Sequence, residues 1–185
     1  QGRWEDAIKI WEGGLGIPGG LAAGVIVGVM YARRNDISVP KVLDAMIPSL
    51  PLAQAIGRWG NWFNQELFGR PTDLPWGLEI KSTHRPEKYS EINTFHPTFL
   101  YESLWNVALV LLLIAVDRKN YLKPGHLIGL WIFGYGIGRL WIEALRIDQA
   151  SLIFGVRVNI WISAIAIVAG GMVWIKGLKS IRDKI

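Results

Sequence analysis

The sequence predicts an all-α polytopic membrane protein with about five transmembrane helices, one of them broken or re-entrant, and a small extracytoplasmic insert. Three observations carry this. Five apolar segments, roughly 15–31, 42–56, 98–116, 127–145 and 158–174, approach the ~20 residues that a spanning helix needs. Lysine and arginine cluster after the first, third and fifth of them, at Arg33, Arg34 and Lys41, at Arg118, Lys119 and Lys123, and at Lys176, Lys179, Arg182 and Lys184. Ten tryptophans, several near segment ends, suit the membrane–water interface. The 185 residues read as a single membrane domain, 1–185, with 51% hydrophobic residues and a mean hydropathy of +0.26.

Segment one aligns Gly16, Gly20, Gly24 and Gly28 at four-residue spacing, which puts small residues on one helical face and lets another backbone approach. Segment two contains Pro48 and Pro51, each lacking an amide donor, so a broken or re-entrant helix is expected there. Segment three, around NVALVLLLIAV, is the most apolar. Segments four and five complete the set. Short cytoplasmic loops collect positive charge, so segments one, three and five run inward, the C-terminus is cytoplasmic, and residues 63–97 form the extracytoplasmic insert. That insert is rich in Pro, Gly, Thr and Ser and reads as irregular or short-strand structure. The N-terminal stretch QGRWEDAIKIWEGG has neither an initiator methionine nor a signal-peptide pattern, and the chain is expected to be the C-terminal part of a larger protein.

Charged side chains inside spanning segments cost about 2.5–3.5 kcal/mol on insertion scales and face the bundle interior. Segment four carries Tyr135, Arg139, Glu143 and Arg146, whose spacing places all four on one continuing helical face. Either Arg139 and Glu143 neutralise each other while Arg146 reaches headgroups, or the positive surplus forms an anion site. Segment two ends in GRWGNWFNQELFG, with Gln54, Arg58, Asn61 and Gln65 on one face and Asn64 and Glu66 slightly round it. Helix capping explains Asn64 and Gly69, whereas Arg58 calls for an anion. Guanidinium grips phosphate through two parallel hydrogen bonds, so two such faces suit a phosphodiester headgroup. A third cluster, FHPTFLYE, brings His96, Tyr101 and Glu102 to the start of segment three. Histidine before proline often marks only a turn, but Glu102 one turn into an apolar helix needs a cationic partner. Asp44 and His126 read as caps.

Composition also excludes classes. With no cysteine there is no disulfide, thiolate metal site or cysteine nucleophile. Three dispersed histidines give no zinc-ligand spacing, so no metal and no cofactor are expected. The net charge of +5 is spread between apolar runs rather than along a stripe, which argues against nucleic acid. There is no G-x-S-x-G elbow.

Taken together, WEGGLGIPGG, GRWGNWFNQELFG, HPTFLYE and YGIGRLWIEALRID resemble, in order and over nearly the whole chain, the bacterial prolipoprotein diacylglyceryl transferases; WEGGLGI with PWGLEI resembles the actinobacterial members. The resemblance implies a multi-pass plasma-membrane enzyme that moves the diacylglyceryl group of phosphatidylglycerol to the lipobox cysteine of a prolipoprotein signal peptide, forming a thioether and releasing glycerol phosphate. It places the family's essential arginine and glutamate on Arg58 and Glu66, its asparagines on Asn61 and Asn64, its glycine on Gly69 and its later arginine on Arg139. His96, Tyr101 and Glu102 match its H-P-[ST]-x-L-Y-E element. Arg58, Glu66, Arg139, His96 and Glu102 are therefore the catalytic candidates. Asn61, Asn64, Gly69, Tyr101, Tyr135, Glu143 and Arg146 are the substrate-binding ones. Two departures stand out: Pro18 replaces a histidine found in many members, and the two further helices that the family carries ahead of this region are not in the sequence. The rival readings are an anion transporter or channel, which calls for pseudo-symmetric halves, and a non-catalytic phospholipid-binding membrane protein.

Overall fold

A computed structural model describes residues 17–178. The protein is mostly helical. In chain order the elements are α1 (Ile17–Arg34), α2 (Val39–Met46), α3 (Ser49–Asn64), β1 (Leu78–Glu79), β2 (Thr94–Phe95), α4 (Thr98–Arg118), α5 (Leu127–Leu145), β3 (Leu152–Ile153), β4 (Val156–Arg157) and α6 (Val158–Gly177). Helix thus occupies most of the described part of each apolar segment, and two helices, α4 and α6, are long and apolar enough to cross a membrane.

Segment two is split. Pro48 has no N–H to give to the Asp44 carbonyl, which Ile47 N reaches instead at 3.2 Å, and α3 starts afresh with Pro48 at its N-cap. Helix α3 then runs past the expected membrane exit to Asn64 and closes on Gln65 in the left-handed conformation (φ 51°). The irregular segment therefore begins at residue 65 rather than 63, and Gln65, not Gly69, is the left-handed cap. Of the glycine stripe, Gly28 faces the Met46 sulfur, a Cβ on Gly20 or Gly24 would meet no other part of the described residues within 4 Å, and Gly16 lies outside the described residues.

Close approach builds the rest of the bundle. A methyl group on Gly136 would lie 2.9 Å from Ile167 Cγ1 and 3.0 Å from the Ser163 carbonyl, so α5 and α6 meet backbone to backbone. Trp105 of α4 packs against Gly138 of α5 and donates its indole N–H to the Gly134 carbonyl at 3.0 Å. Ser103 of α4 donates to the Ala55 carbonyl of α3 at 3.0 Å and accepts from Trp59 at 3.2 Å. One apolar core, built on Ile47, Leu109, Leu113, Leu127 and Leu130, fills the end where α2 meets α4 and α5.

Two ends are distinct. At one, Asp44 accepts the Gly125 and Leu127 amides (2.6 and 3.2 Å), capping α5 from another helix, and Lys123 N reaches the Gly177 carbonyl at 2.8 Å. His126 is the N-cap residue of α5 but makes no side-chain cap bond. At the other, residues 65–97 fold on a small core of Phe68, Ile80 and Phe95, with β1 antiparallel to β2 and two short 3₁₀ turns between them. This unit is sewn to the end of α5 through Arg70 N to the Leu145 carbonyl at 2.9 Å.

Candidate active site

Helices α3, α4 and α5 each bring one charged residue to a common point. Arg58, near the end of α3, pairs through Nε with Oε2 of Glu102 on α4. Arg139 of α5 donates to the other oxygen, Glu102 Oε1, at 2.9 Å. One buried carboxylate thus holds two guanidiniums from opposite walls, as charge inside an apolar bundle requires.

The pairing continues outward. Arg139 Nη2 lies 2.8 Å from Glu143 Oε2, one turn along α5. That contact is an ion pair without hydrogen-bond alignment, because the same oxygen has no hydrogen-bond donor among the described residues. Glu143, 0% exposed, is held at its other oxygen by Arg157 Nε (2.6 Å) and Asn159 Nδ2 (3.2 Å). Arg157 also meets Asp148 at its carboxylate (3.2 Å) and its carbonyl (2.9 Å), and Asp148 in turn takes Arg146 Nε at 2.7 Å. Arg58, Glu102, Arg139, Glu143, Arg157, Asp148 and Arg146 alternate in sign along this chain. Four cations face three anions, so one positive charge is left over. Burial alone pushes the Asp148 carboxyl up, but the hydrogen bond and charge of Arg146, together with Arg157, hold it below its ordinary value.

Arg146 departs from the expected face. Helix α5 ends at Leu145 and Arg146 is extended (φ −72°, ψ 146°), so its side chain turns to Asp148 rather than continuing the line through Tyr135, Arg139 and Glu143. Its backbone bridges to Gly69, an edge-on pairing that explains why it leaves the helix.

The GRWGNWFNQELFG stretch makes a second, smaller cluster. Asn61 Oδ1 accepts from Arg58 at 3.4 Å, and the side-chain amides of Asn61 and Asn64 both donate to Glu66 Oε1, at 3.0 and 3.1 Å. The bond from Asn64, then that from Asn61, holds the exposed Glu66 carboxyl below its ordinary value. Gly69 works by shape: a Cβ there would sit 2.8 Å from His96 Cβ and 3.2 Å from the Leu145 carbonyl. His96 Nδ1 lies 3.1 Å from the Tyr101 hydroxyl, which also accepts the Trp76 indole N–H at 3.0 Å.

A small polar cavity, about 10 Å³, lies where Arg58, Glu102 and Arg139 converge, and Tyr135 completes its wall. A larger open cleft of about 380 Å³ lies between Asn64, Glu66, His84 and Asp148. Sequence reasoning did not single out Trp76, Asp148, Arg157 or Asn159. Arg157 did carry a signal, being an arginine at the end of an apolar segment that the charge pattern reads as the outer one, where positive charge is the exception.

Comparison with known proteins gives the family of the chain. The family model described as prolipoprotein diacylglyceryl transferase matches residues 2–176. The phosphatidylglycerol–prolipoprotein diacylglyceryl transferase of Frankia alni is 52% identical over 168 residues, 91% of this chain and 44% of its own length. The proteins of the same name from Streptomyces griseus and Synechococcus elongatus are 50% and 47% identical, covering 89% and 96% of this chain and 50% and 63% of their own lengths. The chain spans about half the length of these relatives. With the family model matching all but its two ends, the chain belongs to the prolipoprotein diacylglyceryl transferase family.

Proposed function

We propose that the protein carrying this chain transfers the diacylglyceryl group of phosphatidylglycerol to the lipobox cysteine thiol of a prolipoprotein. The observation that carries the reading is the convergence of Arg58 and Arg139 on one buried carboxylate in a chain of this family. In the reaction the thiol sulfur attacks the glycerol carbon bonded to the phosphate, a C–S bond forms, and the C–O bond breaks. The electron pair leaves on the phosphate oxygen as glycerol phosphate, and the thiol proton passes to a base. The phosphate replaces Glu102 as the counterion between the guanidiniums. Preorganised donors in a site shielded from water then stabilise the charge that grows on the leaving oxygen.

The three candidate proton acceptors differ in how far they are already committed. Glu102 spends both oxygens on arginines, and Glu66 is a weakened base because Asn64 and Asn61 stabilise its anion. His96 is bonded through Nδ1 to Tyr101, and its Nε2 has no hydrogen bond among the described residues. Asn61 steadies Arg58, and Glu143 steadies Arg139. Gly69 and Arg146 act by holding the 65–70 segment against the end of α5.

The chain is multi-pass in the bacterial plasma membrane, with residues 65–97 outside and its C-terminus in the cytoplasm. Supporting this, the contacts of Asp44, Lys123 and Gly177 collect the lysine- and arginine-rich segments at the end opposite the insert. The test is to incubate full-length protein with phosphatidylglycerol and a lipobox peptide and follow the peptide's mass. A diacylglyceryl increment that vanishes in Arg58→Ala and Arg139→Ala supports the assignment, and undiminished turnover in both refutes it. The relatives' names favour this reading over an anion transporter or a non-catalytic lipid-binding protein.

A further inference from the structure

Two residues that line the cavity between α3, α4 and α5 each carry a polar atom that nothing in the reaction above uses. Asn106, one turn beyond Glu102 on α4, is 6% exposed. Its Nδ2 donates to the Glu102 carbonyl at 2.9 Å, which fixes the amide's orientation and aims Oδ1 away from that bond. Gln54, one turn before Arg58 on α3, lines the same cavity. Both Asn106 Oδ1 and Gln54 Oε1 are buried without any hydrogen-bond donor among the described residues. A buried acceptor left unpaired costs about 1–3 kcal/mol, and two on residues lining one small cavity ask for a donor from beyond the described residues.

The surroundings define that donor. It enters a space of about 10 Å³, close to the least that one water-sized oxygen needs. It sits beside Arg58 and Arg139, whose charge disfavours an ammonium and favours a neutral O–H carried by an anion. We infer that Asn106 Oδ1 and Gln54 Oε1 receive a hydroxyl of the polyol headgroup of an anionic phospholipid, next to the phosphate held by the arginines. This rests on the reading of the arginine pair as a phosphate site. The two amides are then specificity-determining residues: they distinguish a phosphoglycerol headgroup from a phosphate ester of the same size without hydroxyls. Such sites discriminate strongly because the analogue leaves buried acceptors unsatisfied.

The experiment compares phosphatidylglycerol with phosphatidylpropanol, whose headgroup lacks both hydroxyls. Binding to full-length protein is measured by native mass spectrometry, separately from any transfer. Wild-type protein binds phosphatidylglycerol about tenfold to a hundredfold more tightly than phosphatidylpropanol. In Asn106→Leu and in Gln54→Leu the ratio falls towards one, chiefly through loss of phosphatidylglycerol affinity. Equal affinity of the wild type for the two lipids overturns the inference and assigns the acceptors to a buried water. A preference that survives in both variants overturns it as well. The wild-type comparison needs no substitution, and either variant alone suffices if the other fails to fold. Absent transfer with an intact binding preference counts against the proposed reaction and not against hydroxyl recognition.

Discussion

Arg58 and Arg139, from helices on opposite sides of α4, share a single counterion, the carboxylate of Glu102. Two cations brought this close in an apolar bundle repel strongly unless an anion lies between them. Glu102 fills that place at rest, and in the proposed reaction a phosphate takes it. Replacing it with glutamine keeps the shape and removes the charge. Glu102→Gln is expected to lower kcat for transfer by about a hundredfold, because the guanidiniums lose the geometry that serves the leaving oxygen. KM for phosphatidylglycerol should not rise, since the arginines gain a reason to hold a phosphate. Steady-state kinetics with a lipobox peptide separates the two parameters, and a rise in KM at constant kcat would contradict the counterion exchange.

Arg157 ties the start of α6 to Glu143 and Asp148, and nothing else described donates to Glu143 except Asn159 and the unaligned Arg139. Removing one member of a buried ionic network leaves its partner's charge unpaired, at a cost of about 3–5 kcal/mol. Arg157→Gln is therefore expected to lower the thermal unfolding midpoint measurably in nanodiscs. It should also cut transfer, because Glu143 then swings fully to Arg139 and draws it from Glu102. Arg157→Lys should recover part of the stability but less of the activity, since an ammonium cannot span two carboxylates and a carbonyl at once.

The legible part of this site was the part that is expensive. Arg58, Glu102, Arg139 and Glu143 stand inside apolar segments, where an unpaired charge is prohibitive, so sequence alone told that they look inward. Pro48 likewise announced the break between α2 and α3, whereas Pro51, equally expected to break the helix, falls in the first turn of α3, where its missing N–H would have had no partner. Asp148 and Trp76 stood outside the helices, where charge and indole groups are cheap, and only the folded contacts distinguish them from surface residues. The face assigned to Arg146 misled for a related reason: the end of α5 at Leu145 was legible, but no glycine or proline separates Arg146 from it, and helical spacing reads on through this residue although the Gly69–Arg146 bridge takes it out of the helix.

Gly69 tests that bridge. A methyl group at this position would meet His96 Cβ at 2.8 Å, Thr98 Cγ2 at 3.0 Å and the Leu145 carbonyl at 3.2 Å. Two of these neighbours cannot rotate away, being a Cβ and a backbone oxygen, so the 69–70 segment must shift. Overpacking of this kind costs about 1–3 kcal/mol. Gly69→Ala is expected to destabilise by that amount and to weaken the bonds of Gly69 N to His96 O and Arg70 N to Leu145 O. Faster amide exchange at residues 69 and 70, with exchange in α6 unchanged, is the signature; protection equal to wild type would remove the packing role.

Glu66 offers a pH test with a definite sign. Its carboxyl is held below its ordinary value by Asn64 first and Asn61 second, so the folded protein binds this proton less readily than the unfolded chain does. The contribution to stability is therefore complete above the unfolded value near 4.5 and is lost as pH falls through the lower folded value. The contact between Glu66 and the two asparagines should stay intact from neutral pH down to 4.5 and loosen only below it. Carbon-13 NMR of the Glu66 carboxyl reads this directly. Asn64→Ala should move its titration upward, and Asn61→Ala should do so by less, while also freeing Arg58 of its hydrogen bond to Asn61. An unmoved titration in Asn64→Ala would show that something other than the amide donor sets the acidity. In that case the asparagines only shape the turn, and Glu66 regains standing as a proton acceptor.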